Sequence, residues 1–278
     1  MKKSITLLLL TFAFLGLAAC SSGDKEVNEI YNKALEAAEE MNSAEVDIEM
    51  KQEMTVPQEE DTMVMESQMS GAIITEPLAM HQKGTTSISM GEEMDEPMEM
   101  EQELYFVDNE MYSYDSITEE WLKMDDSTIP MDFINTEQMD TSDQLNMFKD
   151  YVDNLKYEET DEAYIFQFSP NQDEVKNLTE DLLKEIIPEE LTSQIGEEVT
   201  EVLENTEIND LEVEISINKD SYQIEKYHVD MDMKMTVEGE EMNIKQNVNT
   251  VYRNINTIEH IEIPKEVKES AKEVSGFE

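Results

Sequence analysis

The chain of 278 residues contains one cysteine, one tryptophan, eight glycines and three histidines, and its 19 basic residues face 67 acidic ones. Each shortage removes a class of function. A lone cysteine, Cys20, has no partner within the chain, so no internal disulfide framework is possible. His81, His228 and His260 lie far apart, with no second histidine or cysteine at ligand spacing, so no zinc site is expected. So few glycines form neither a phosphate-cradling loop nor a G-x-S-x-G nucleophile elbow. A net charge of −48 excludes a nucleic-acid interface, which needs clustered Lys and Arg against phosphate. It also argues against adhesion to anionic headgroups through a basic patch. Carboxylates are so abundant that none stands out as a catalytic pair, and no cofactor motif is present. An enzyme is not expected.

Apolar runs of membrane-spanning length are also lacking. The longest, Ile5–Leu17, follows Lys2 and Lys3 and has the length of a signal-peptide core. Leu17-Ala18-Ala19-Cys20 then matches a bacterial lipobox. Residues 1–19 are expected to be removed as a lipoprotein signal peptide, and Cys20 to carry the lipid. Two acyl chains on its diacylglyceryl group suffice for stable anchoring. Residues 20–25 form a lipidated tether, and residues 26–278 a single domain on the extracytoplasmic face of the cell membrane.

What the chain does have is periodicity. Val27, Ile30, Tyr31, Ala34, Leu35, Ala38 and Met41 recur at helical spacing. From Val46 the period becomes two and predicts strands over 46–56, 63–73, 78–90 and 98–106. Two shorter hairpins follow within YFVDNEMYSYDSITEEWLKM, residues 105–124, where Trp121 either packs under the hairpin or gates a ligand mouth. The spacing then predicts helices through Leu145–Leu155, Val175–Ile186 and Leu191–Val202, the first entered through a Thr141-Ser142-Asp143 cap. Strands return at 164–168, 211–217, 222–237 and 242–248. Helix, strands, helices, strands, with no Gly/Ser-rich linker, describe one α+β domain, a large curved antiparallel sheet with helices on its covered face.

The lipobox, the leading helix, the long alternating strands, the hairpin of residues 105–124 and the closing VYRNINTIEHIEIPKEVKE together resemble a group of uncharacterised Gram-positive lipoproteins. That group is similar to the LolA/LppX-like superfamily. The resemblance implies a half-barrel sheet whose concave face cups an apolar cavity, with helices packed against that face as a lid. It also implies a ligand that is a lipid or an acylated partner, or else an envelope interaction or sensor role without a stoichiometric ligand.

One motif is independent of that resemblance. MDMKMTV, residues 231–237, puts Met231, Met233 and Met235 on one face of a strand while Asp230, Asp232 and Lys234 face the other way. The same parity places 13 of the 21 methionines on covered faces, among them Met50, Met65 and Met100. A copper site needs two to four thioethers in one cluster, whereas methionines spread over a whole wall point to packing or to an adaptable apolar lining. Gln52, Ser67, Gln82, Gln102 and Gln246 interrupt these faces. They either pair with one another in a packed core or line a cavity. The expected cavity lining is therefore Met50, Gln52, Met65, Ser67, Gln82, Met100, Gln102, Met231, Met233, Met235 and Gln246.

Overall fold

A computed structural model describes residues 23–56, 61–91, 96–124, 141–171, 174–175, 206–237 and 240–274. Cys20, Ser21 and Ser22, together with the helices expected over 175–202, lie outside these residues, apart from the short helical piece at 174–175, while residues 23–25 of the expected tether are helical.

The first element is α1 (Gly23–Glu39). Its apolar positions fall three and four apart, so Ile30, Tyr31, Ala34, Leu35 and Ala38 share one stripe and are all buried. Burying side chains of the size of Ile30 or Leu35 contributes about 1.5–3 kcal/mol each. Only Glu40, Met41 and Asn42 separate α1 from the first strand, so the helix folds straight back against the sheet.

The sheet begins with β1 (Ser43–Val56), β2 (Asp61–Ile74), β3 (Ala79–Met90), β4 (Met98–Val107), β5 (Glu110–Asp115) and β6 (Glu120–Met124), an antiparallel meander. The turns at Asp108-Asn109 and at residues 116–119 fall where the hairpins are predicted, with positive φ at Asp108, Asn109 and Glu119. The helix predicted to Leu155 is shorter than expected. It comprises α2 (Thr141–Asn146), a turn at Met147-Phe148, and a 3₁₀ segment, Lys149–Asn154. Thr141, Ser142 and Asp143 form its first turn instead of a cap, and Thr141 is buried with its hydroxyl on Met41 Sδ.

Next come β7 (Lys156–Glu159), β8 (Ala163–Phe168), β9 (Glu207–Asn218), β10 (Ile224–Val237) and β11 (Glu240–Arg253). β11 then pairs with β1, closing the two halves into one sheet ordered β6-β5-β4-β3-β2-β1-β11-β10-β9-β8-β7. The sheet is an open half-barrel with helices on its concave face. Beyond Arg253 the chain crosses to the outer face, forms α3 (Lys265–Ser270), and adds β12 (Lys272–Glu273) parallel to β6.

Two devices bend this sheet. At Gly71 an added Cβ would lie 1.9 Å from the His81 carbonyl oxygen, and at Gly84 the same distance from that of Gln68. Only glycine lets β2 and β3 approach this closely, the local kink that curls a sheet. Register shifts between Ile224 and Lys226 and between Asp232 and Met233 add bulges to β10, which increase twist.

The main core lies where α1, α2 and the 3₁₀ segment meet β8, β9, β10 and the start of β1. Phe148, Phe166, Phe168, Ile215 and Ile217 are almost fully buried there. Tyr31 joins the layers, its ring edge-on to Phe166 at 5.7 Å and its hydroxyl donating to the Leu145 carbonyl at 2.5 Å.

Candidate functional site

Cross-strand register builds the concave face row by row. Met100, Thr86, Ser67, Met50 and Val248 lie opposite one another across five strands, and Val229 extends the row. The next row runs Met98, Ile88, Met65, Gln52, Gln246, Met231. A third runs Met90, Met63, Met54, Ile244, Met233, and Met235 lies opposite Met242 beyond it. On the helix side, Gln102, Gly84, Met69, Ile48 and Thr250 form a row, followed by Leu104, Gln82, Gly71, Val46 and Tyr252. All eleven sequence-predicted lining residues therefore share one face. Every one of them is half-buried, whereas Ala44, Val46, Ile73 and Tyr252 nearer the helices are buried.

Charge is absent from the inward phase of the six central strands. From Ala44 to Val56, Met63 to Ile73, Met80 to Met90, Met98 to Phe106, Tyr227 to Met235 and Met242 to Tyr252, the inward phase carries no Asp, Glu, Lys or Arg. In a chain that is 31% charged, this requires a face kept away from the charged surface.

The polar exceptions do not all pair with one another. Thr86, absent from the sequence-based selection, is 6% exposed and is the hub of one cluster. Its Oγ1 lies 2.8 Å from Gln102 Oε1 and 3.2 Å from Ser67 Oγ. One hydroxyl has one proton, so Thr86 donates chiefly to Gln102 across the shorter distance, with Ser67 Oγ as a second, more distant acceptor. Among the described residues Gln246 Nε2 reaches only the thioether of Met50, at 3.7 Å, a weak acceptor. Threonine on a strand reads as ordinary β-propensity, so only its burial marks Thr86 out.

The outer face carries the charge and holds it in ordered networks. Lys51 bridges Glu53 and Glu66 at 3.3 Å each. His228 lies 2.8 Å from Asn249 Oδ1 and 2.9 Å from Asp230 Oδ2, and Asn247 closes the ring by donating to Asp230 while accepting from Asn249. A shallow groove of about 280 Å³ crosses this face among Lys51, Glu53, Asp210, Asp230, Asp232 and Lys245. Charged and amide residues of the outer face make up most of its border, and Met231 and Gln246 of the inward rows also reach it. His81 also faces outward, stacked on Tyr105 at 4.2 Å and hydrogen-bonded to Glu103 at 2.8 Å. Trp121 belongs to the same outer surface, with Tyr105 at 5.8 Å and Tyr114 at 5.5 Å, beside the residues packed under α3. It lies on the face opposite the methionine rows. Among the described residues no group of three His, Cys, Asp or Glu is arranged to hold a metal ion, and no helix is long and apolar enough to cross a membrane.

The chain is similar to several solved structures. LprF from Mycobacterium bovis is 11% identical with a TM-score of 0.43, over 86% of this chain and 97% of that one. The lipoprotein LppX from Mycobacterium tuberculosis is 9% identical with a TM-score of 0.40, over 86% and 100%. A DUF1329 family protein from Desulfovibrio piger is 10% identical with a TM-score of 0.22, over 85% and 95%. No curated protein matches the chain. The model of a family of unknown function, DUF6612, matches residues 26–272, and the chain belongs to that family.

Proposed function

We propose that this protein is a lipid-anchored, extracytoplasmic binding protein, with no catalytic role, that holds an apolar ligand, a lipid or an acylated partner, against the concave face. The observation that carries the reading is the uncharged, half-buried methionine face. Methionine side chains are unbranched and polarizable, so they conform to irregular or changing contents, as at promiscuous binding surfaces. A few placed polar groups among apolar walls are the usual composition of a small-molecule site. Organic extraction of the protein purified from its native host, followed by mass spectrometry, tests it. A stoichiometric lipid is expected; repeatedly empty extracts would overturn the carrier reading in favour of an envelope interaction or sensor role.

The anchor is the second part of the proposal. Cys20→Ser should abolish labelling by a fatty-acid analogue and stop lipoprotein processing. Unchanged labelling of the variant would remove the anchor from this position.

A further inference from the structure

We infer that Gln102 is a specificity-determining residue of the concave face, a fixed donor for a carbonyl oxygen of the bound molecule, and that the ligand is an uncharged lipid carrying an ester. The inference rests on the apolar-ligand reading above and adds a direction to it. Thr86 is nearly buried and its single proton lies on Gln102 Oε1 at 2.8 Å. Ser67 Oγ is the more distant acceptor that the Thr86 hydroxyl faces, at 3.2 Å. With its oxygen held, the Gln102 amide can turn only its NH₂ toward the face, and among the described residues no acceptor takes it up.

The nearest carboxylate on this face is Asp115, directly opposite Gln102 on β5. Its oxygens are committed elsewhere, Oδ1 to the backbone N–H groups of Ile117 and Thr118 and Oδ2 to the Thr118 hydroxyl. Gln102 is thus a neutral donor with the ionised Asp115 opposite it and no charge on the inward phase of β1–β4, β10 and β11. Such a surface disfavours an anionic headgroup, which would lose its hydration and meet only a like charge. A carbonyl oxygen matches the donor without that cost.

The test compares dioleoylglycerol with its dialkyl ether analogue, which has the same chains and hydroxyl but no carbonyl. Both compete for the full chain against a fluorescent acyl probe. One net hydrogen bond corresponds to about a three- to ten-fold preference for the ester, and Gln102→Leu should abolish that preference while still binding the ether. Thr86→Val, which releases the amide, should reduce it, with circular dichroism melting confirming that both variants fold. The side-chain NH₂ resonances of Gln102 should shift with the ester and not with the ether. Equal binding of both lipids by the natural chain would overturn the role of Gln102 and leave the ligand reading intact. Failure of the probe and both lipids to bind would overturn the two together.

Discussion

At the scale of single residues, two tyrosines carry distinct and measurable roles. Tyr31 is buried on α1 and its hydroxyl ties that helix to the Leu145 carbonyl of α2. Burial raises its pKa, so it stays neutral and remains a donor. Tyr31→Phe keeps the ring against Phe166 but leaves the carbonyl without this donor. A loss of about 1 kcal/mol is expected in chemical denaturation, with an unchanged far-ultraviolet spectrum. Tyr105, on the outer face, is pushed up to about 12 by burial and by its hydrogen bond to Glu103. Because the folded state holds this proton more tightly than the unfolded chain, its contribution is complete below the ordinary value of 10.0 and is lost as pH rises through the folded value. Tyr105→Phe should therefore melt at a temperature less sensitive to pH between those two values than the natural chain does. Parallel curves would show that Tyr105 does not ionise in this range.

At the scale of elements, the β5–β6 hairpin depends on Asp115. Its carboxylate accepts from two backbone N–H groups and one hydroxyl of its own turn, which sets the reversal before Glu120. The Thr118 backbone bond, foremost, holds its pKa below the ordinary 3.8. A depressed carboxylate contributes stability that is present above the unfolded pKa and lost as pH falls through the folded one. Asp115→Asn should flatten the acid side of the melting-temperature profile relative to the natural chain, while at neutral pH it lowers stability. An acid limb identical to that of the natural chain would mean that the turn does not depend on this charge. The other elements divide by how local their cause is. The long strands are legible because every second residue within 46–56, 63–73, 80–90 and 98–106 is apolar or neutral. β7 is not, since KYEE shows no alternation and is held by pairing with β8. α3 and β12 are likewise set by contact with the outer face, where Val267 buries against Tyr105 and Tyr112.

At the scale of the whole molecule, the net charge is −48, and on β1–β4, β10 and β11 the charged side chains lie on the outer face. The few cations are used as bridges, as Lys51 between Glu53 and Glu66, Arg253 on Asp47 and Lys219 on Glu159. These exposed pairs contribute little each. Self-repulsion is left to be screened by salt, over a Debye length of about 10 Å at 0.1 M. The thermal midpoint should rise as sodium chloride goes from very low to molar concentration. A flat or falling curve would mean that the carboxylates are already compensated within the fold.

By itself the sequence determined the alternation of the strands, the stripe of α1 and the parity that puts the methionines and glutamines on one side. Those depend only on side-chain direction, which repeats every two residues in a strand and every 3.6 in a helix. The tertiary structure decided the rest. The pairing of β1 with β11, some 200 residues away, makes one face out of two groups of strands and brings Gln52 opposite Gln246. It also carries Trp121 to the outer surface, under a C-terminal segment whose destination no local pattern encodes. Burial picked out Thr86, because a threonine's hydroxyl acquires a role only when neighbouring strands remove it from water and leave Gln102 and Ser67 as its partners. Periodicity is a property of consecutive residues, whereas register and burial are properties of strands that meet only after the chain has folded.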